Sequence, residues 1–477
     1  MCPIAGRMPR RARGELMLYR SLRAAADVAL RWYYADVVVQ GAERIPETGP
    51  LVIASNHPNA LVDALLVTTM LRRPVRLTAK ATLFEQPLLA ALLRQVGVVP
   101  LRRVKDELAA RRGGEVSVAR NANSFRHVTE ALVQGSAVLV FPEGISHDEP
   151  TLAPLKTGAA RMALAAAEAG AHGLRLLPVG LIFERKEQPR SRILIRVGAP
   201  IDVDAWRARA GSDDHGRLTA DLDAALRHVT LNFASDARAH RAVSLARALA
   251  AITEAPPALG QPRPLATEAE LARRIEVATD ALESAPPAVA RQADDFITRV
   301  ESLERRLETR GIALTEVRIS PRLRHGARFV VRETLVSMVA LPVALVGRVM
   351  HWLPLHLARA LAMRPLASDP SRDQPAMRTI VLGLAFVLGW YVLLALLIAH
   401  WRGGVLAGLA LVVMFLAARV DFLLRDRMGR AWRRARTYLA LRAVPGLRDT
   451  AVAEIDALIA DGLLLEAALI TPRADSR

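Results

Sequence analysis

The sequence predicts an α/β domain, a sheet flanked by helices, followed by a helical region and a C-terminal membrane hairpin. Three observations predict this order. Short apolar runs alternate with helical periodicity up to residue 203, helical periodicity rich in alanine, leucine and arginine follows to residue 328, and residues 379–399 contain no charge. At 477 residues the chain also exceeds one typical domain, so two or three structural units are expected.

The first part of the chain alternates strand-like and helix-like segments. Residues 1–34 form a basic segment in which residues 15–33 have the period of an amphipathic helix, with arginines on one side. The α/β domain is predicted over residues 35–203. Its predicted strands lie at residues 36–39, 51–54, 75–77, 138–141, 176–179 and 193–197, and its helical stretches include 60–71, 88–96 and 159–169. This alternation predicts a layered fold whose site lies at strand ends.

The predicted helical region, residues 204–328, begins where the composition changes after Pro200. Residues 203–251 and 266–311 have helical periodicity, and the proline-rich stretch Glu254–Pro264 separates them. They predict two long solvated helices or a helical hairpin. Neither contains a catalytic constellation, and their charge runs are typical of solvated faces.

The predicted membrane region covers residues 329–420. Residues 379–399 are long enough to span a bilayer, and Gly403–Ala418 is a shorter apolar run that can span when flanking residues snorkel. The tight connection at residues 400–402 joins the two into a hairpin. Residues 335–353 are also apolar, but they contain a proline and an arginine, which favour an interfacial or re-entrant segment over a third span.

The C-terminal segment, residues 421–477, is predicted to be basic and helical. Seven arginines lie between residues 419 and 436. The positive-inside rule places this end in the cytoplasm, and a hairpin returns the α/β domain to the same side. We therefore expect an inner-membrane protein whose site faces the cytoplasm. The arginine-rich residues 1–14 lead into no continuous apolar stretch, which argues against a cleavable signal peptide.

Composition favours a membrane surface as the partner over a nucleic acid. The formal charge is +18 and the pI about 11.2, yet the mean hydropathy is +0.20. Such a basic protein suits an anionic membrane. Aromatic residues make up only 4%, and no alternation of basic and aromatic residues suggests a base-stacking surface. The only cysteine, Cys2, excludes an intramolecular disulfide and a cysteine-built zinc site.

Lysine is rare in this basic chain. Lysine and arginine together number 65, but only four of them are lysines: Lys80, Lys105, Lys156 and Lys186. A GC-rich genome accounts for the excess of arginine. All four lysines nevertheless fall inside the predicted α/β domain, and a compact ammonium is not interchangeable with a planar guanidinium. This distribution is a mild indication that chemistry lies there.

His57 and Asp63 are a candidate catalytic pair. A histidine accepts a proton near neutral pH, and a nearby carboxylate can fix its tautomer and stabilise the imidazolium. Residues six apart lie about 120° apart around a regular helix. Pro58 suits a first helical turn, so the two side chains can meet only if the chain bends there. The alternative is a helix cap with an incidental aspartate.

Further candidates follow two other predicted strands. Glu143 and Gly144 form a turn after the strand ending at Phe141, where glycine lets backbone amides approach a ligand and the glutamate could hold an acceptor hydroxyl. Arg103 follows another apolar run and suits a phosphate. Lys156 could also bind phosphate. The alternatives are a strand-terminating turn, an exposed basic loop and the start of a helix.

Taken together these motifs resemble the glycerolipid acyltransferase superfamily over about residues 20–203. The motifs, in order, are His-(x)5-Asp, Pro-x-x-Arg-x-x-Asp, Phe-Pro-Glu-Gly-x-Ser-His-Asp, Pro-Leu-Lys-x-Gly and Leu-Pro-Val-Gly. The usual pattern is His-(x)4-Asp and Phe-Pro-Glu-Gly-Thr-Arg. The extra residue before Asp63, and Ile145 and Ser146 in place of Thr-Arg, resemble the fungal-type glycerol-3-phosphate/dihydroxyacetone-phosphate acyltransferases, which also carry a membrane segment after the catalytic domain.

The resemblance implies a direct acyl transfer. His57, oriented by Asp63, removes the proton from an acceptor hydroxyl, which attacks the thioester of acyl-CoA or acyl carrier protein. Arg103 holds the acceptor phosphate, and the third motif contributes acceptor-positioning residues, with two candidates to replace its missing arginine. These substrate-binding residues are Arg103, Glu143, Gly144 and Ser146, with His147 or Lys156 as the replacement. The implied chemistry needs no metal and no bound organic cofactor, because the acyl thioester is a co-substrate.

The predicted function is acylation of glycerol-3-phosphate or dihydroxyacetone phosphate in phospholipid biosynthesis. The first alternative is a 1-acylglycerol-3-phosphate acyltransferase that makes phosphatidate. A second is a catalytically silent lipid-binding membrane protein, against which the intact His57 and Asp63 argue. A phospholipid transacylase is a third. The predicted partners are an acyl thioester donor, a phosphorylated glycerol-type acceptor and membrane lipid, with no nucleic acid.

Overall fold

The computed structural model describes residues 10–85, 87–101, 118–211, 213–254, 263–320, 322–364 and 375–470. The chain divides into two compact units. The first comprises residues up to Asn232 and a short stretch that ends at Ile380, and the second comprises 233–365 and 381–477. Each unit is described by itself below.

The first unit is built on a sheet of eight strands among the described residues. They are β1 (Asp36–Gln40), β2 (Leu51–Ser55), β3 (Val75–Lys80), β4 (Val99–Leu101), β5 (Ala137–Val140), β6 (Arg175–Phe183), β7 (Arg192–Val197) and β8 (Ile201–Asp202). Their order is β1-β7-β6-β2-β5-β3-β4. Strand β8 pairs with the first two residues of β6, before the part that pairs with β7. The run from β6 to β4 is parallel, and β7 and β8 are antiparallel to β6.

Helices cover both faces of this sheet. They are α1 (Arg10–Tyr33), α2 (Ala60–Met70), α3 (Pro87–Gln95), α4 (Val118–Val133), α5 (Gly158–Glu168), α6 (Val203–Ala210) and α7 (His215–Val229). Side chains along β2 alternate between two apolar clusters: Val52 and Ala54 lie in one, and Leu51 and Ile53 in the other. This two-residue period is what a central strand buried on both faces requires. The predicted α/β fold, a sheet flanked by helices, is therefore confirmed.

The unit extends past residue 203, where the sequence predicts the α/β domain to end. Four side chains of α7 lie in the same apolar cluster as the sheet: Leu218, Leu222, Leu226 and Val229. Each such burial contributes about 1.5–3 kcal/mol. The backbone approaches closely here too, because a Cβ added at Gly180 would lie 2.1 Å from the carbonyl oxygen of Val229. The helix therefore completes one layer of the fold.

The prediction of one long helix over residues 203–251 was wrong. The structure has three helices there, α6, α7 and α8 (Asp236–Thr253). Local capping explains the breaks. Gly211 ends α6 with φ +65°, the Asp214 side chain accepts from backbone amides at the start of α7, and the Ser235 side chain accepts from Arg238 N at the start of α8.

The second unit is helical in its described residues. Besides α8 it contains α9 (Leu265–Leu282), α10 (Pro287–Thr309), α11 (Leu323–Ala362), most of α12 (Pro375–Arg402), α13 (Gly404–Ala443) and α14 (Leu447–Ile470). One apolar cluster joins α8, α10 and α14, so these helices bury one face and are not wholly solvated. Ion pairs support the same packing, as between Arg299 Nη1 and Asp461 Oδ2 at 2.7 Å.

Three helices of the described chain are long and apolar enough to cross a membrane: Leu323–Ala362, Ala376–Arg402 and Gly404–Ala443. Residues 335–353 lie within the continuous 40-residue helix α11 despite Pro342 and Pro354, so they do not form the re-entrant alternative. The interfacial alternative stays a prediction. Helix α11 packs closely on α13: a Cβ added at Gly347 would lie 2.2 Å from the carbonyl oxygen of Ala417. Buried Asp421 of α13 also accepts from Arg348 Nη2 at 2.9 Å.

Candidate active site

The candidate site lies at the carboxyl ends of two neighbouring parallel strands. Strand β2 ends at Ser55 and leads to His57, and β5 ends at Val140 and leads to Glu143. The two strands pair directly, with Ala54 opposite Val140. Because the carboxyl ends of parallel strands share one edge of a sheet, the first and third motifs meet there. The Asn56 side chain fixes the loop to β6, since it bonds both the N–H and the carbonyl oxygen of Leu181.

His57 and Asp63 are paired despite their six-residue spacing. The Nδ1 of His57 lies 2.9 Å from Asp63 Oδ2, and the same oxygen accepts from the backbone N–H of Asn59 at 2.7 Å. The required bend occurs between Pro58 and α2. Asn59 has φ −142° and ψ 44°, and Ala60 has φ +46°, in the left-handed region that L residues rarely adopt. This strained turn redirects the helix so that Asp63 faces back toward the histidine.

The environment of the pair suits a general base. Asp63 is 0% exposed and the His57 side chain 14%. Burial raises the pKa of Asp63, and the bond to His57 opposes that rise. With Nδ1–H donating to Asp63, Nε2 is the ring nitrogen left to accept a proton. The imidazole also stacks on Phe141, with ring centroids 3.8 Å apart and planes 12° apart, which fixes its orientation.

Glu143 binds protein groups where we expected it to hold an acceptor hydroxyl. Its side chain is 1% exposed. Its Oε1 accepts from the backbone N–H of His57 at 2.8 Å, and its Oε2 accepts from that of Ala153 at 2.9 Å. Both carboxylate oxygens therefore bind backbone groups and tie the loop of His57 to that of Ala153, while the contact with an acceptor hydroxyl stays a prediction. Burial was the information that the motif alone lacked.

Ser146 and His147 also form hydrogen bonds within the protein. The Oγ of Ser146 accepts from the N–H of the strained Ala60 at 3.3 Å. His147 Nδ1 accepts from the N–H of Glu149 at 3.2 Å, so Nε2 carries the proton that it donates to Glu143. Both ring nitrogens of His147 are thus engaged within the protein.

Gly144 and Lys156 lie against each other, and Gly144 directly follows Glu143, which binds the backbone of His57. Gly144 has φ +74°, and a Cβ added there would lie 2.9 Å from Lys156 Nζ. The backbone N–H of Lys156 donates to the carbonyl oxygen of Pro142 at 2.9 Å, which fixes the lysine over this turn. Lys156 is exposed, and among the described residues its ammonium forms no ion pair. Arg103, the other predicted phosphate ligand, lies outside the described residues.

Two residues that the sequence did not single out for this site, Asn59 and Tyr34, support the histidine turn. The Asn59 side-chain amide donates to Tyr34 Oη at 3.2 Å and to the carbonyl oxygen of Lys186 at 3.3 Å. Tyr34 is 1% exposed and its pKa is raised, chiefly by burial. No sequence pattern links Tyr34 to a loop 25 residues later. The scarcity of lysine was the one signal that pointed to Lys186.

Comparison with known proteins places the domain in a family. The family model described as Acyltransferase matches residues 36–182. An uncharacterized acyltransferase of Schizosaccharomyces pombe is 24% identical over 256 residues, 37% of this chain and 38% of that protein. Glycerol-3-phosphate O-acyltransferase 2 of Saccharomyces cerevisiae is 40% identical over 85 residues, 18% of this chain and 11% of that protein.

A plant relative is similar over a comparable share. The chloroplastic 1-acyl-sn-glycerol-3-phosphate acyltransferase BAT2 of Brassica napus is 26% identical over 159 residues, 33% of this chain and 40% of that protein. The chain thus spans at most two-fifths of each of these relatives. The matched family segment contains the paired His57 and Asp63 as well as Glu143 and Lys156. Residues 36–182 therefore match the Acyltransferase family model, and the predicted resemblance to the glycerolipid acyltransferase superfamily is confirmed.

Proposed function

We propose that this chain is a membrane-bound O-acyltransferase that acylates the hydroxyl of glycerol-3-phosphate or dihydroxyacetone phosphate. The observation that carries the proposal is the His57–Asp63 pair, closed at 2.9 Å by the strained turn at Ala60. The five-residue spacing between His57 and Asp63 is also the departure that resembles fungal-type enzymes. The similarity to a yeast glycerol-3-phosphate acyltransferase supports the same acceptor class.

In the proposed reaction His57 Nε2 takes the proton from the acceptor hydroxyl as its oxygen attacks the carbonyl carbon of the acyl thioester. The C–S bond then breaks, and the imidazolium returns the proton to the leaving thiolate. Asp63 holds Nδ1–H and stabilises the imidazolium between the two steps. The donor is acyl-CoA or acyl carrier protein, and the proposed transfer uses no metal and no bound organic cofactor.

We assign the acceptor phosphate to Lys156, with Arg103 as its partner. The Thr-Arg pair of the usual third motif is replaced here, and His147 is bonded to Glu143 and Glu149. Lys156 is an exposed cation beside Gly144, in the turn whose Glu143 binds the backbone of His57, and an ammonium suits a phosphate. Glycine at 144, with no side chain, leaves room for both the ammonium and the acceptor.

The acceptor class is tested by an acceptor panel. Purified protein receives labelled acyl-CoA or acyl carrier protein together with glycerol-3-phosphate, dihydroxyacetone phosphate or 1-acylglycerol-3-phosphate. We expect the highest kcat/KM with one of the two unacylated acceptors. Preference for the acylated acceptor would favour the phosphatidate-forming alternative, which the similarity to the Brassica enzyme supports. No transfer to any acceptor would favour a lipid-binding protein without activity.

We further propose that the protein lies in the inner membrane with the acyltransferase domain in the cytoplasm. The apolar helices α12 and α13 support a membrane-spanning hairpin, and α11, which precedes them, is proposed to be an interfacial helix. The arginines between residues 419 and 436 support a cytoplasmic location for that end. The proposed thioester donors are found in the cytoplasm, the side on which we place the acyltransferase domain.

A further inference from the structure

Lys186 stands out because this chain uses arginine for nearly all of its basic residues. It follows β6, and its side chain is 20% exposed. Its Nζ donates to the carbonyl oxygen of Pro58 at 3.0 Å and forms an ion pair with Asp148. One compact ammonium therefore joins the histidine turn to the third motif. An arginine would have to fit a planar guanidinium into the space that the single Nζ atom of the lysine occupies.

The backbone of Lys186 contacts the same turn. Its carbonyl oxygen accepts from the Asn59 side-chain amide at 3.3 Å and from Tyr34 Oη at 3.4 Å. Asn59 is 1% exposed and donates its own backbone N–H to Asp63. Lys186 thus bonds to Pro58 and Asn59, the two residues that precede the strained Ala60. The bend at these residues lets Asp63 reach His57.

The turn needs such support because its conformation is unfavourable by itself. Ala60 has φ +46°, and a left-handed conformation costs an L residue about 1–2 kcal/mol. Conformations of this kind persist only where the surroundings over-determine them. Here Ser146 accepts a hydrogen bond from the N–H of Ala60. Lys186 donates to the carbonyl oxygen of Pro58 and accepts from the Asn59 side chain.

We propose that Lys186 is a positioning residue, whose ammonium and backbone carbonyl hold the turn at residues 58–60 in the shape that brings Asp63 to His57. This role rests on the proposed function, since the histidine must be the base for its position to matter. Its hydrogen bonds to Pro58 and Asn59 lie on the turn, and through this turn it acts on catalysis. Its positive charge also favours the ionised form of Asp63.

The test combines amide hydrogen exchange with steady-state kinetics on the full-length protein in detergent. Lys186→Met should raise exchange in a peptide covering residues 55–63 at least about tenfold and leave exchange in the β5 and β6 strands unchanged. It should lower kcat about 10–100-fold with little change in the KM of either substrate. Lys186→Arg keeps a charged donor within reach of Pro58. Its exchange in residues 55–63 and its kcat should lie between those of Lys186→Met and those of the wild type.

Arg185→Met is the matched control. Arg185 is the neighbouring cation, 56% exposed, and its Nη2 lies 4.0 Å from Glu184. Its loss removes one positive charge without touching the turn, so exchange and kcat should equal those of the wild type. If Lys186→Met does not fold, Asn59→Ala decides the question, because it removes the side-chain bonds to Lys186 and Tyr34 and leaves the ammonium in place. It should raise exchange and lower kcat in the same way.

Each outcome decides the inference. Wild-type exchange in residues 55–63 of the Lys186 variant, or raised exchange with wild-type kcat, would overturn it. A fall in kcat that Arg185→Met reproduces would also overturn it, because general charge loss would then explain the effect. If the wild-type protein itself transfers no acyl group, the proposed function fails, and the exchange measurement alone decides whether Lys186 holds the turn.

Discussion

At the scale of single residues, Asp63 combines a functional role with an energetic cost. It is 0% exposed, and its Oδ1 has no hydrogen-bond partner among the described residues. Burial raises its pKa, so the folded state binds the proton more tightly than the unfolded state does. Its contribution to stability is therefore most favourable at low pH. It falls as the pH rises from the ordinary aspartate pKa of about 3.9 to the raised folded-state value.

Asp63→Asn should separate function from stability. The amide removes the buried charge and keeps an oxygen to accept from Asn59 and His57, so the melting temperature at pH 8 should equal or exceed that of the wild type. Acyl transfer should fall by about 10²–10⁴-fold, because the imidazolium loses its stabilising charge. Melting curves from pH 5 to 8 and kcat check both parts. A variant that melts far below the wild type yet keeps full activity would contradict the assignment.

Gly144→Ala tests the place of Lys156. The new Cβ would lie 2.9 Å from Lys156 Nζ, so the flexible ammonium must move. We expect the KM of the phosphorylated acceptor to rise about 10-fold or more, while the KM of the acyl donor stays the same. Gly135→Ala is the matched control, because Gly135 has φ +76° and nothing within 4 Å of its added Cβ.

Both glycine variants incur the same left-handed penalty of about 1–2 kcal/mol, and only one disturbs the lysine. Equal acceptor KM values in the two variants would remove Lys156 from the phosphate site.

At the scale of secondary-structure elements, sequence periodicity located the strands of the α/β fold well. The predicted strand at 51–54 is β2 (Leu51–Ser55), and the one at 193–197 is β7 (Arg192–Val197). Buried parallel strands read as continuous apolar runs, so little long-range information is needed to find them. The turn before α2 was not predictable in this way. A non-glycine residue at φ +46° is set by tertiary bonds from Ser146, which local sequence does not encode.

Dependence on tertiary contacts also explains why the sequence did not predict the hydrogen bonds of Glu143 or the continuity of α11. The third motif was identified correctly, but the burial of Glu143 depends on segments far apart in sequence, so its bonds to His57 and Ala153 could not be inferred. Residues 335–353 contain Pro342 and Arg348, which favoured an interfacial or re-entrant segment over a third span. In the structure Arg348 pairs with Asp421 of α13, and that tertiary contact compensates for its charge.

The close packing of α11 on α13 gives a prediction for these two elements. A Cβ at Gly347 would lie 2.2 Å from the carbonyl oxygen of Ala417, so Gly347→Ala forces the helices apart and should destabilise this unit by about 1–3 kcal/mol. Gly408→Ala, in α13, is the control, because a Cβ added there has no atom within 4 Å. Both substitutions gain about 1 kcal/mol in helix propensity, and only Gly347→Ala creates a clash. Thermal unfolding in detergent compares the two. Equal melting temperatures would contradict the close contact.

At the scale of the whole molecule, the proposed arrangement makes a topological prediction. If α12 and α13 form the proposed hairpin, the acyltransferase domain and the C-terminus lie on the same cytoplasmic side. Single cysteines at exposed His172 and at Ser476, in a Cys2→Ser background, should both react with a membrane-impermeant maleimide only after spheroplasts are lysed. Opposite labelling of the two positions would mean that α11 crosses the membrane as well.

The central claim is that His57 is the base of an acyl transfer to a phosphorylated glycerol-type acceptor. The most direct measurement is transfer of a labelled acyl group from acyl-CoA to glycerol-3-phosphate and to dihydroxyacetone phosphate, by wild-type protein and by His57→Ala, with folding checked by thermal unfolding. We predict turnover by the wild type and a loss of about 10³-fold or more in a folded His57→Ala variant. Turnover by the folded variant at the wild-type rate would contradict the account.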